Sequence, residues 1–197
     1  MKSTENIINN MWSSTDPIEL HPDWGRIPDG IRAQLLSIQD NDPSVQHFAT
    51  KRLQFDTACD VKVVCNLLVV ALERNSVLRS LDLSDSEIGE AVAASLCSAL
   101  ERNSVLTCLD LRGNNIGAAG AASVCSALER NSVLTSLDLS GNSIGDAGVV
   151  IVCSALERNS VLTHLNLSDN DSGAAGAASV CSALERNSVL TSLNLWY

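Results

Sequence analysis

The sequence predicts an α/β solenoid: a row of short parallel strands backed by helices, one of each per repeat. Three observations carry this. A 28-residue pattern recurs in strict phase over Ser76–Asn103, Ser104–Asn131, Ser132–Asn159 and Ser160–Asn187, and starts again at Ser188. Inside each unit the hydrophobic period changes from two to about 3.6, the change from strand to helix. Aromatic residues make up only 3% of a chain that is 45% hydrophobic. Core volume must then come from Leu, Val, Ile and Ala stacked in register.

The elements follow in order. Residues 1–28 read as an irregular leader, with Pro17, Pro22, Pro28, Trp12 and Trp24 and no periodic apolar face. Residues 29–75 read as an N-terminal cap with a degenerate first repeat. Asp29 suits the start of a short helix with Ile31, Leu35 and Ile38 on its apolar face, and Asn41-Asp42-Pro43 ends it. A second helix is expected from Asp60 to Asn75, because Ala71-Leu72-Glu73-Arg74-Asn75 repeats the A-L-E-R-N ending of every later unit. Leu53 and Phe55 stand 28 residues before Leu81 and Leu83, which places the degenerate strand there. Residues 76–197 are the array proper, four full units and a partial fifth.

Within the array, Leu137-Asp138-Leu139 alternates as a short strand with one buried face. Gly148, Val152, Ala155 and Leu156 then form the inward stripe of a helix. Such a unit cannot close a core alone; stacking buries each unit against its neighbours. Asn114, Asn142 and Asn170 sit where the chain leaves the strand. A buried amide there can both donate to and accept from backbone groups that the turn leaves unpaired.

The unit L-x-x-L-x-L-x-x-N-x-I-G, as in Leu134, Leu137, Leu139, Asn142, Ile144 and Gly145, resembles the ribonuclease-inhibitor-like class of leucine-rich repeat. That class occurs in NOD-like receptors and Ran GTPase activators. The resemblance covers residues 76–197 and implies a right-handed leucine-rich-repeat horseshoe with parallel strands on the concave face and helices on the convex face. Three positions depart from the pattern: Ser86 for the ladder Asn, Val92 for the second Gly, and Ser172 for Ile. Ser172 is expected to leave a hole, loosening the fourth unit. The run Ile38–Val45, I-Q-D-N-D-P-S-V, is similar to the segment that enters the repeat domain of tropomodulins. It implies a folded cap over the first strand; a plain helix end before that strand is the alternative.

Composition limits function. A formal net charge of −10 and a pI near 4.6 disfavour phosphate backbones, so nucleic acid is not an expected partner. No stretch approaches a membrane span, and MKSTENIINNMW lacks the apolar segment of a signal peptide, so no membrane partner is expected. Seven cysteines without a secretion signal point to free thiols and a cytoplasmic setting. No nucleotide loop, metal motif or triad spacing occurs; catalytic, cofactor and metal sites are not expected, nor is enzyme activity.

The remaining candidate is a surface. The middle residue of L-x-L faces away from the core, which aligns Asp82, Asp110, Asp138, Asn166 and Asn194 across the strands. With strands about 4.8 Å apart, one carboxylate pair repels by only about 0.8 kcal/mol in water-like dielectric. The stripe suits a protein partner with a basic surface, and equally a merely solvated row. Arg79, Arg112, His164 and Trp196 surround it, Arg112 and Trp196 having the chemistry of hot spots. Cys97, Cys125, Cys153 and Cys181 form a second row. Neighbouring helices pack about 8–10 Å apart, too far for disulfides, so these read as packing thiols. Cys108 and His164 lie two strands apart, too distant for a catalytic pair.

The expected function is a protein–protein interaction module presenting an acidic concave surface. The alternatives are a GTPase-activating or other regulator of a small GTPase, or a non-functional fragment of a longer repeat protein. The last strand, 188–195, leaves Leu193 and Leu195 uncovered, which suggests self-association through that end.

Overall fold

The computed structural model describes residues 24–27, 29–49 and 61–196. One turn of 3₁₀ helix, Trp24–Arg26, precedes helix α1 (Asp29–Gln39) and strand β1 (His47–Ala49). The array follows as α2 (Val61–Leu72), β2 (Ser80–Asp82), α3 (Gly89–Leu100), β3 (Cys108–Asp110), α4 (Gly117–Arg130), β4 (Ser136–Asp138), α5 (Gly145–Leu156), β5 (His164–Asn166), α6 (Ala174–Arg186) and β6 (Ser192–Asn194). All six strands form one parallel sheet in sequence order. The expected α/β solenoid is therefore the observed architecture.

Strict phase in the sequence becomes strict register in the sheet. Leu81, Leu109, Leu137, Leu165 and Leu193 stand opposite one another on successive strands. Leu81, Leu109, Leu137 and Leu165 are all buried, and on the helix side Val149, Val152, Cys153, Ala155 and Leu156 of α5 close the layer. Burying a Leu or Val side chain contributes about 1.5–3 kcal/mol, and each unit gains this only from the unit beside it.

The glycines of N-x-I-G-x-x-G do two different jobs. Gly117 and Gly145 take φ +65° to turn the chain into the helix, where an L side chain would be strained. Gly120 and Gly148 admit Ile116 and Ile144: a Cβ on Gly148 would lie 1.9 Å from Cγ2 of Ile144. That isoleucine is buried, so it has nowhere to go.

The cap is where expectation and structure part. Phe48, not Leu53, is the strand partner of Leu81, five residues earlier than a constant 28-residue period requires. Leu53, Phe55 and Asp60 lie outside the described residues. The cap helix has the expected face, Ile31, Leu35 and Ile38 buried against α2. Of the leader, residues 1–23 and 28 lie outside the described set, while Ile27 is packed into the core at 2% exposure.

Candidate functional site

The surface that faces away from the helices is built by the strands and the turns that end them. Asp82, Asp110, Asp138, Asn166 and Asn194 pair in that order along the sheet, so the sequence-derived stripe exists as one continuous row. Each is half-buried between its neighbours.

The row has a structural duty that sequence reading missed. Each Oδ1 accepts the backbone N–H two residues on: Asp82 from Ser84, Asp110 from Arg112, Asp138 from Ser140, Asn166 from Ser168 and Asn194 from Trp196, at 2.8–3.2 Å. These Asx turns end the strands, and either Asp or Asn can make them. The hydroxyls of Ser140 and Ser168 also donate to the Oδ1 of Asp138 and Asn166, at 2.6 and 2.9 Å. Charge in the row is thus additional to what the turn requires. It is also unrelieved at the centre: burial, then the carboxylates of Asp138 and Asp82, push the Asp110 carboxyl above its ordinary value, only partly offset by the Arg112 amide and guanidinium.

Around the row the other candidates scatter. Arg112 pairs with Asp85 at 3.5 Å. Arg79 turns to the Val105 carbonyl at 3.2 Å. His164 shares a hydrogen bond with Thr163, and Trp196 is 81% exposed. Cys108 and His164 occupy β3 and β5, with β4 between them. The flanking strand positions Ser80, Cys108 and Ser136 are small and half-buried, which leaves the face shallow beside the carboxylates.

Two asparagine ladders hold this face rigid. Asn142 donates to the carbonyls of Leu111, Leu139 and Ser140, and its Oδ1 accepts from the amides of Asn114 and Ile116. Asn114 and Asn170 bond in the same way. The second ladder was not foreseen. Asn75, Asn103, Asn131, Asn159 and Asn187 donate to a last-turn carbonyl of the helix of the preceding repeat, as Asn131 does to Leu100 at 2.7 Å. Their Oδ1 atoms accept the next two free amides, Val133 and Leu134 in that unit. The signal was present in the invariable E-R-N of every unit, at the place where helix carbonyls lack partners. The same unit-to-unit logic governs the charges: Arg102, Arg130, Arg158 and Arg186 each pair with the glutamate of the previous repeat, at 2.7–3.6 Å.

The cysteine row divides. Cys97 and Cys153 are buried, and desolvation, aided by Glu101 and Glu157, pushes their thiols up to about 12 and about 11. These fill space. Cys125 is half-buried and Cys181 exposed, so the packing role does not extend along the whole row. The six described cysteines are free thiols.

A model of the leucine-rich repeat matches four times, over residues 74–97, 102–125, 130–153 and 158–181. These are leucine-rich repeats. Among solved structures, Leiomodin-1 Actin-Binding Site 2 (ABS2) is similar at TM-score 0.51 and 20% identity, covering 87% of this chain and 82% of that one. The tropomodulin C-terminal domain of Caenorhabditis elegans is similar at TM-score 0.64 and 16% identity, covering 81% and 93%. At such identities the likeness is one of fold. No curated protein sequence matches this leucine-rich-repeat chain. No helix among the described residues is long and apolar enough to cross a membrane.

Proposed function

We propose that this leucine-rich-repeat protein is a non-enzymatic interaction module of the cytoplasm that holds a basic protein surface on its strand face. The observation that carries the reading is the Asp110 carboxyl, flanked in register by Asp82 and Asp138 and raised above its ordinary value. A rigid face with charge beyond the needs of its turns is suited to electrostatic steering. The repeats are assigned to the ribonuclease-inhibitor-like class on Asn142, Ile144 and Gly145.

The test uses Asp110→Asn combined with Asp138→Asn, which keeps both Oδ1 acceptors. The partner captured by the wild-type chain should bind the variant about tenfold more weakly, with a flatter dependence on salt. Unchanged affinity and salt slope would remove the stripe from the interface.

A second reading comes from one similar structure, the actin-binding site 2 of Leiomodin-1. Cosedimentation of this chain with filamentous actin decides it. The GTPase-regulator alternative is tested by GTP hydrolysis across a panel of small GTPases. We also propose that copies of the 197-residue chain associate through β6, which among the described residues pairs with β5 alone and leaves Leu193 and Leu195 half-exposed.

A further inference from the structure

We infer that the β6 face of the array is a two-fold seam between two copies of this chain, with β6 pairing antiparallel to β6 of the other copy and α6 packing beside its α6. This rests on the self-association proposed above and adds its geometry. What covers the same positions elsewhere in the array defines the seam. Between the first two units, Cys97, Leu100, Leu109 and Leu111 line one apolar space with Val124 and Leu128 of the next helix. Their counterparts three units on, Cys181, Leu184, Leu193 and Leu195, lie together on the β6 face. There Leu184 is 43% exposed, where Leu100 is 3%. None of the four is charged.

The backbone edge is complementary to itself. On β3 and its flanks, the Thr107 carbonyl accepts from Thr135 and Ser136, and the Leu111 amide donates to Asp138, all on the following strand. By the two-residue period Leu109 uses the same side. The equivalents at β6 are Thr191, Leu193 and Leu195, and no strand among the described residues lies beyond them. An antiparallel pair centred on Leu193 sets it opposite itself and sets Leu195 opposite Thr191 of the other copy. The outward amides of Leu193 and Leu195 then both meet carbonyls. A head-to-tail stack lacks its second surface, because α1 closes the other end of the core with Ile31, Leu35 and Ile38 buried against α2. Like must meet like, and such a contact closes at two chains. Charge permits it: β5 and β6 carry Asn166 and Asn194, so the nearest carboxylate of the strand row, Asp138, is two strands from the joint.

The experiment uses the full 197-residue chain. Sedimentation across a range of concentrations should show mass rising and levelling at two chains. Cys97 lines the same space as Leu109, so its exposed counterpart Cys181 stands beside Leu193, and the two-fold brings the two Cys181 thiols to face each other. A bismaleimide whose reach matches the about 8–10 Å between packed helices should join Cys181 to Cys181, a link that only two chains can form, identified by mass spectrometry of the joined peptides. Leu184→Glu alters an exposed side chain, with the fold checked by circular dichroism. It should weaken the dimer at least about tenfold and remove the link. Mass that climbs past two chains, or self-association that gives no Cys181 link or ignores Leu184→Glu, overturns the two-fold seam while leaving the self-association. A monomer at every concentration overturns both.

Discussion

At the scale of single residues, buried amides do more than any other polar group here. The Asn142 side chain makes five hydrogen bonds, three of them to the repeat before its own, and is fully buried. Replacing it by Ala strands backbone donors and acceptors that water cannot reach, each worth about 1–3 kcal/mol. Asn131, in the second ladder, ties the end of α3 to the approach to β4 in the same manner. Asn142→Ala and Asn131→Ala should each cost about 3–5 kcal/mol in urea unfolding. A loss under about 1 kcal/mol in Asn131→Ala would mean that the helix-end carbonyl finds water instead.

At the scale of the element, α6 differs from the helices before it. The units of α4 and α5 fill the turn with Ile116 and Ile144, and the following glycine takes φ +65°. In the fourth unit Ser172 occupies the isoleucine position, its Cβ 3.1 Å from where a Cβ on Gly176 would lie. Gly173 has φ −104° and the helix begins one residue later, at Ala174. The amides of Gly173 and Gly176 turn back to Asp146 Oδ1 of the previous repeat, both at 2.7 Å. A carboxylate at a helix N-terminus is favourable, so Asp146 substitutes for the missing turn. Asp146→Ala should therefore destabilise by about 1–2 kcal/mol and speed amide exchange in 174–186 first. Ser172→Ile should raise Tm and slow that exchange, since Gly176 leaves room for the side chain. Exchange in α6 already as slow as in α5 would refute the weak-end account.

At the scale of the whole molecule, each repeat gains its core only from its neighbours, so stability follows the stack from unit to unit. The last strand presents Leu193 and Leu195 half-covered beside the exposed Leu184 and Trp196. A parallel edge of that kind pairs readily with another chain. Sedimentation equilibrium should show mass rising with concentration, and Leu193→Lys with Leu195→Lys should restore a monomer. A single monomeric species at high concentration would sink this proposal.

The repeat array was legible because its information is local and periodic. A 28-residue phase, the L-x-L strand and the Ile–Gly turn dictate identical neighbours, and identical neighbours can stack only in register. The row from Asp82 to Asn194 followed from the two-residue period of a strand alone. What the sequence did not determine lies where the period fails or where partners are distant in the chain. The cap strand slid to His47–Ala49 because Phe48 must sit over Leu81, a requirement of packing with no spacing signal. The E-R-N asparagines took on meaning only when the sheet brought Asn131 under the end of α3. Asp146 and Gly173 are 27 residues apart, and only their stacking made the one a cap for the other. Periodicity sets which residues face inward; tertiary structure decides which polar groups then find each other, because hydrogen bonds reach about 3 Å and are blind to sequence distance.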